Sequence, residues 1–471
     1  MGVPRSNGCL LCVKRRVKCD ERVPGCARCE TYGRPCPGYD RGFTFVAGKP
    51  YRSRRRPKTE DSKSSSTGET TPTTVDTVSH ATIWQLQLQS ASPGTLASAD
   101  SNVMQGLGIV LDEVSQPEQL NSAYVISRWL RALPAVYGRN RALDSTIKCF
   151  VSHHVGYMTC NGQALWYARS AYVEALARLR KALESPAEGL SSETFCAVLL
   201  LCLYELFSNT TDSVSWMKHA QALSQLTEIR GCGRYVDEFD LTLLKASRGL
   251  IVMHSLFSGQ KCFLALDRWH SVMAMHVNTG LSSKLDRLVE EFFAYFTSVP
   301  SLIHELYDLK QADWTDPRTQ QRTSDLVTRS LDMTDKVSAW YGQFSTTVPL
   351  PTEALSPTGD KLFPVILIYS DVNSGALFCG YYSYMMLLHE ILRSCGYPGE
   401  HAAMIAHFRD LICQSIEYNA RGMLGPYRMG FSLRAVYETA DPVTKTWLEG
   451  WLERLSKGYA AVQPRNFQMI D

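Results

Sequence analysis

Histidine is missing from the first 79 residues of this 471-residue chain, and no apolar run exceeds the ten residues of Phe195–Tyr204. A membrane-spanning helix needs about 20 consecutive apolar residues, so that run reads as a buried helix instead. The first twenty residues hold five basic side chains and no apolar h-region, which argues against a secretory leader and for a reducing compartment. H-E-x-x-H, G-x-S-x-G, a P-loop and a strand-borne G-x-G-x-x-G are all lacking. Without any such constellation the chain reads as a non-enzyme. A sustained heptad is lacking too. Ile83, Leu86 and Leu88 do not hold an a/d pattern, and Pro93-Gly94 ends any helix there within two turns. A coiled-coil dimer near the N-terminus is therefore not expected, which leaves a monomer or a homodimer formed through the C-terminal body.

What the chain does have is concentrated at its front. Residues 1–58 carry 15 Lys/Arg against 4 Asp/Glu, while the other 413 residues carry 34 against 42. A basic head on an acidic body points to a polyanionic partner for the head alone. Of the 15 cysteines, six fall between Cys9 and Cys36: Cys9-x2-Cys12-x6-Cys19-x6-Cys26-x2-Cys29-x6-Cys36. The second half repeats the first at an offset of 17 residues. Disulfides do not suit a reducing compartment, and Cys9-Leu-Leu-Cys12 lacks the βαβ context of a redox motif.

The spacing suits zinc, because C-x2-C brings two sulfurs onto one tetrahedral ion. Two ions with four private ligands each would need eight thiolates, and only six are present, so two must bridge. The repeat makes the leading cysteine of each half the natural bridge, Cys9 and Cys26. One zinc then takes Cys9, Cys12, Cys19 and Cys26, and the other takes Cys26, Cys29, Cys36 and Cys9. So small a segment has almost no apolar core, and metal binding supplies its folding energy.

The cysteine spacing, the Lys14-Arg15-Arg16-Val17-Lys18 run, Pro24 and Gly33 together resemble the fungal Zn(II)2Cys6 binuclear-cluster transcription factors. The resemblance covers about Cys9–Tyr39. It implies a nuclear factor whose first short helix enters the major groove of double-stranded DNA and reads a CGG-type triplet. Carried over by position, Arg15 and Arg16 are the base-contacting pair, with Lys14, Lys18, Arg28 and Arg34 mostly on phosphates. The chemistry agrees, since an Arg fork bonds guanine O6 and N7 together whereas Lys on phosphate adds affinity without sequence. The family often controls a metabolic or secondary-metabolite pathway. The rival reading is a zinc-scaffolded module that binds protein or RNA without specific DNA readout.

The chain as a whole falls into four parts. Residues 1–40 form the cluster domain, and 41–58 form a basic tail in which Arg52, Arg54, Arg55, Arg56 and Lys58 read as a nuclear localisation signal. Residues 59–108 read as a disordered linker, since 12 of the 21 residues from 59 to 79 are Ser or Thr. From 109 to 471 the pattern is all-α. Tyr172, Leu176, Leu179 and Leu183 make one apolar stripe, and others span 214–230, 240–257, 322–344, 363–394, 400–420 and 442–456. Ser191 and Asp441-Pro442 read as helix starts, and Gly231 and Gly396 as helix ends. His153-His154 reads as a core or interface pair. Asp237-Glu-Phe-Asp240 reads as a solvated loop, and the nine scattered cysteines read as small buried hydrophobes. Leu199–Glu205, Trp216–Ala220 and Leu226–Gly231 resemble the fungal-specific transcription factor domain, which implies a regulatory body responding to a small-molecule effector or a coactivator.

Overall fold

The computed structural model describes residues 9–20, 22, 26–34, 36, 99–114, 125–208, 215–275 and 283–467. The chain divides into two compact units between Asp76 and Thr77. The basic run Arg52–Lys58 and most of the expected linker lie outside the described residues.

The small unit holds two five-residue helices, α1 (Leu10–Lys14) and α2 (Ala27–Thr31). Its core is sulfur. Cys9, Cys12, Cys19, Cys26 and Cys29 are buried, with Leu11 and Cys36 partly buried against them.

The large unit is helical, as expected, but begins earlier than residue 109. Helix α3 (Ala99–Val114) buries Val103, Leu107 and Val110, spaced 4 and 3 apart. Gly106 sits within it because a Cβ there would lie 2.4 Å from Val151 Cγ1, so the bare backbone is what lets α3 approach α5 (Arg141–Met158). Helix α4 (Val125–Val136) buries Trp129, Leu130 and Leu133.

Helix α5 and its neighbour α6 (Gly162–Glu184) start on Asn140 and Asn161, whose side-chain oxygens each accept two backbone N–H bonds. The stripe expected on α6 is displaced. Ala168, Ala171, Ala175, Leu179 and Ala182 are buried, whereas Leu176 and Leu183 are exposed. Short side chains let two helices pack closely, so the alanine face turns inward and the leucines ride at the edge.

Helix α7 (Ser192–Phe207) is the centre of the unit. Every residue from Thr194 to Phe207 is buried, which explains its all-round apolar sequence. Ser191 caps it by accepting the Thr194 N–H at 3.1 Å. Helices α8 (Ser215–Arg230) and α9 (Glu238–Ser258) are separated by Gly231, whose φ of 70° ends α8. The acidic stretch between them is not a solvated loop. Asp237 caps α9, and Asp240 is buried against Arg230, the two side chains being 7% and 1% exposed. Arg230 also donates to the Leu190 and Ser191 carbonyls at 2.8 and 2.6 Å.

Helices α10 (Asp267–Ala274), α11 (Lys284–Phe296), α12 (Val299–Lys310) and α13 (Pro317–Ser345) follow. Ser283 and Asp286 form a reciprocal capping box at the start of α11. The stripe expected over 363–394 splits into two elements. Strands β1 (Thr352–Leu355) and β2 (Val365–Ile368) pair antiparallel, Thr352 opposite Ile368, and α14 (Val372–Ser394) begins only after Asp371 caps it. The β-branched run after Pro364 favours a strand, and a four-residue hairpin arm is too short to show a period of its own. Helices α15 (His401–Asn419), α16 (Gly425–Thr439) and α17 (Pro442–Leu455) complete the unit. Asp441 caps α17 ahead of Pro442 as the sequence indicates.

The histidine pair is structural. His153 Nε2 lies 3.0 Å from the Phe207 carbonyl, and His154 Nε2 lies 3.2 Å from Glu113. Of the nine cysteines of this unit, six are buried, Cys232 and Cys395 are intermediate and Cys160 is exposed.

Candidate metal centre and nucleic-acid interface

The two short helices are built alike. Each begins directly after the leading cysteine of its half, whose sulfur accepts the N–H of the cysteine three residues on: Cys12 to Cys9 Sγ at 3.4 Å, Cys29 to Cys26 Sγ at 3.3 Å. C-x2-C thus places the second sulfur beside the first within one helical turn. Asp20 steadies the start of α2 by accepting the Ala27 N–H at 3.1 Å, a bond that holds its carboxyl below the usual carboxylate range. Sequence reading missed that role, which an acidic residue seven positions ahead of a helix start does not reveal.

The sulfurs converge. Cys9 Sγ lies 3.7 Å from Cys26 Sγ and 3.5 Å from Cys29 Sγ, and Cys12 Sγ lies 3.6 Å from Cys26 Sγ. Two four-sulfur groups result, Cys9-Cys12-Cys19-Cys26 and Cys9-Cys26-Cys29-Cys36, each with all its sulfurs within 4.8 Å of one another. They share Cys9 and Cys26, the two cysteines that the repeat singles out. Burial of the crowded thiols pushes Cys12 and Cys26 above the ordinary thiol range, so a thiolate there needs a cation beside it. The donor set, tetrahedral group size and shared sulfurs fit two zinc ions.

The basic residues surround this core. Lys14, Arg16, Lys18, Arg28 and Arg34 are exposed. Arg15 is half-buried, its guanidinium 3.4 Å from the centroid of the Tyr32 ring. Tyr32 is a contributor that the sequence reading passed over. The signal was available, for Tyr32 is the repeat counterpart of Arg15 at an offset of 17.

The turn after α1 is unusual. Arg16 has φ +56°, and Val17 N–H donates to the Cys12 carbonyl at 3.0 Å. This is the left-handed C′ position of a Schellman ending, which normally takes glycine. The second half obeys that preference: Gly33, the counterpart of Arg16, has φ +70°, and Arg34 N–H donates to the Cys29 carbonyl at 3.3 Å. The first half therefore holds an exposed arginine where the fold itself asks for glycine.

Residues 7–43 match the family model of the fungal Zn(2)-Cys(6) binuclear cluster domain, and residues 129–343 match that of the fungal specific transcription factor domain. A protein of Emericella nidulans, uncharacterized by name, is 23% identical over 175 residues, covering 36% of this chain and 37% of its own. The aspercryptin biosynthesis cluster-specific transcription regulator of the same fungus is 61% identical over 33 residues, 7% of this chain and 5% of its own. White-opaque regulator 2 of Candida albicans is 59% identical over 32 residues, 7% of each chain. The matches thus span about a third of the first relative's length and under a tenth of the other two. No solved structure matches the chain. Its N-terminal domain is of the kind that binds two zinc ions, two of these relatives are named as regulators, and the chain belongs to the fungal Zn(II)2Cys6 binuclear-cluster transcription factors that carry a fungal-specific transcription factor domain.

Proposed function

We propose that this DNA-binding transcription factor acts in the nucleus on CGG-type sites, with Arg16 as the principal base reader and Arg15 beside it. The observation that carries the reading is the conformation of Arg16. A non-glycine residue in the left-handed region costs about 1–2 kcal/mol, and such strain gathers at functional positions. The side chain that bears this cost is exposed, bidentate and cationic. Arg15, ordered against Tyr32, contributes from a fixed position. Lys14, Lys18, Arg28 and Arg34 supply phosphate contacts, which set affinity and its salt dependence.

The helical body would receive a signal and relay it, with the output a metabolic or secondary-metabolite pathway. The named pathway regulator resembles this chain only over its cluster segment, so it supports a shared mode of DNA binding more than a shared target. Selection of bound sequences from a random duplex pool by the full chain tests the reading. Enrichment of CGG is expected, one copy for a monomer and paired copies of fixed spacing for a dimer. Equal retention of every duplex and of RNA would defeat it. Nuclear import through Arg52, Arg54, Arg55, Arg56 and Lys58 is a separate proposal. Replacing all five with Ser should leave the protein in the cytoplasm on imaging, and unchanged nuclear accumulation rejects it.

A further inference from the structure

A cavity of about 660 Å³ lies where α9, α11, α14 and α16 of the helical unit meet the segment Tyr459–Phe467. That volume is typical of small-molecule sites, which run from roughly 300 to 1,000 Å³. Its wall is strongly aromatic, with Phe292, Phe293 and Phe296 from α11 facing Tyr427 and Phe431 from α16. Its charged residues are all of one sign. Lys245, Arg248, Arg428, Arg434 and Arg465 line it, and among the described residues no Asp or Glu does.

Arg248 is the centre of this arrangement. Its side chain is 2% exposed and lies over the Phe293 ring, 3.6 Å from the centroid. Nη1 donates to Glu290 Oε2 at 2.5 Å, whereas Nε and Nη2 are buried with no hydrogen-bond partner. Buried polar groups are almost always paired, so two idle donors on one guanidinium call for an explanation. Glu290 does not neutralise the site, because Lys245 Nζ also contacts it at 3.1 Å. Glu290 is thus shared between two cations, with Asp286 acting on Lys245 as a weaker influence. Arg428 adds a third cation, and its donors go to the Asn419 and Arg421 carbonyls at 3.2 and 2.7 Å rather than to an acid. Positive charge in a poorly hydrated aromatic chamber is costly unless an anion joins it.

We infer that this cavity binds a small organic anion with a flat, largely aromatic body, such as a fused-ring carboxylate or sulfonate. The inference rests on the reading of the helical body as a signal receiver, and it names the receiving site and the chemistry of the signal. The aromatic walls bury the body of the ligand by stacking, and the excess positive charge around Arg248 selects the anion.

The test uses the full-length zinc-loaded chain and two fluorescent probes of nearly the same shape. One is 1-anilinonaphthalene-8-sulfonate; the other is N-phenyl-1-naphthylamine, which lacks the sulfonate. The sulfonate should bind at one site per chain and about tenfold more tightly than the neutral probe. Arg248→Met should abolish that preference, and Lys245→Met, which leaves the Arg248–Glu290 pair intact, should reduce it. Ala376 lines the cavity from α14 and is half-buried. Ala376→Trp should fill the space and remove binding of both probes while helicity by circular dichroism is kept. Equal affinity of the two probes for the wild-type chain would overturn the anion assignment, as would wild-type sulfonate binding by folded Ala376→Trp. The same preparations are titrated with the selected duplex. Intact DNA binding without probe discrimination rejects the cavity alone, whereas loss of specific DNA binding strikes the regulator reading and leaves the probe result standing.

Discussion

Arg15 and Tyr32 occupy the same place in the two halves of the cysteine repeat, and they stack on each other, guanidinium to ring centroid 3.4 Å. The contact ties the end of α1 to the end of α2. It also divides the two arginines, since Arg15 is engaged within the fold while Arg16 projects from it.

The first prediction follows from that division. Arg16→Ala should cost about 1–3 kcal/mol on a CGG duplex and much less on random DNA. Tyr32→Ala should weaken binding to both, because the stacking between the ends of the two repeat halves is lost, and Arg15→Ala should do the same with an added loss on CGG; Tyr32→Phe, which keeps the ring, should retain binding. Competition gel shifts at fixed salt decide. Equal losses on both duplexes for Arg16→Ala would make it a phosphate contact.

Metal content tests the shared sulfurs. Cys9 and Cys26 belong to both four-sulfur groups, whereas Cys12, Cys19, Cys29 and Cys36 each belong to one. Cys26→Ser should therefore abolish both zinc ions. Elemental analysis that finds one ion retained in Cys26→Ser would refute the bridging role.

Asp240→Asn removes one member of a buried ion pair and leaves Arg230 charged in the interior. Breaking such a pair typically costs about 3–5 kcal/mol. Urea unfolding followed by tryptophan fluorescence should show that loss. A change under about 1 kcal/mol would mean that the Leu190 and Ser191 carbonyls alone satisfy Arg230.

Acid should weaken the helical unit through His219. Burial, with the charge of Lys218 beside it, pushes this imidazole down to about 4. Its ring stays neutral in the folded chain, 3.3 Å from the Tyr172 hydroxyl. The unfolded chain binds a proton below about pH 6.5, so between the two values it holds more protons than the folded one and stability rises with pH. Burial lowers His153, His254 and His389 in the same sense. The His219 contribution at pH 5 is on the order of 2 kcal/mol relative to pH 7.5. His219→Gln should flatten the urea midpoint between these two pH values, and an unchanged slope would rule the residue out.

The metal centre was legible because its constraint is local: six sulfurs within 28 residues must satisfy two ions, and spacing expresses that directly. Helix starts such as Ser191 and Asp441 were legible for the same reason. The misreadings all concern distance. Leucines drew attention on α6 although helix proximity favoured the alanines. Gly106 and the polar first turn of α3 hid a core helix. Asp240 looked solvated until Arg230 appeared opposite. The cavity joins residues from Trp216 to Phe467, so no window of sequence contains its pattern.

Arg16 and Gly33 hold one backbone shape with opposite chemical consequences. Engineering this head for heat resistance alone would exchange Arg16 for glycine, relaxing the turn and making the halves more alike. The product would have an unstrained turn and no arginine fork at the position proposed to read bases. An optimiser that scores only folding would count that change as an improvement, so an assay of base discrimination has to accompany any stability screen of this segment.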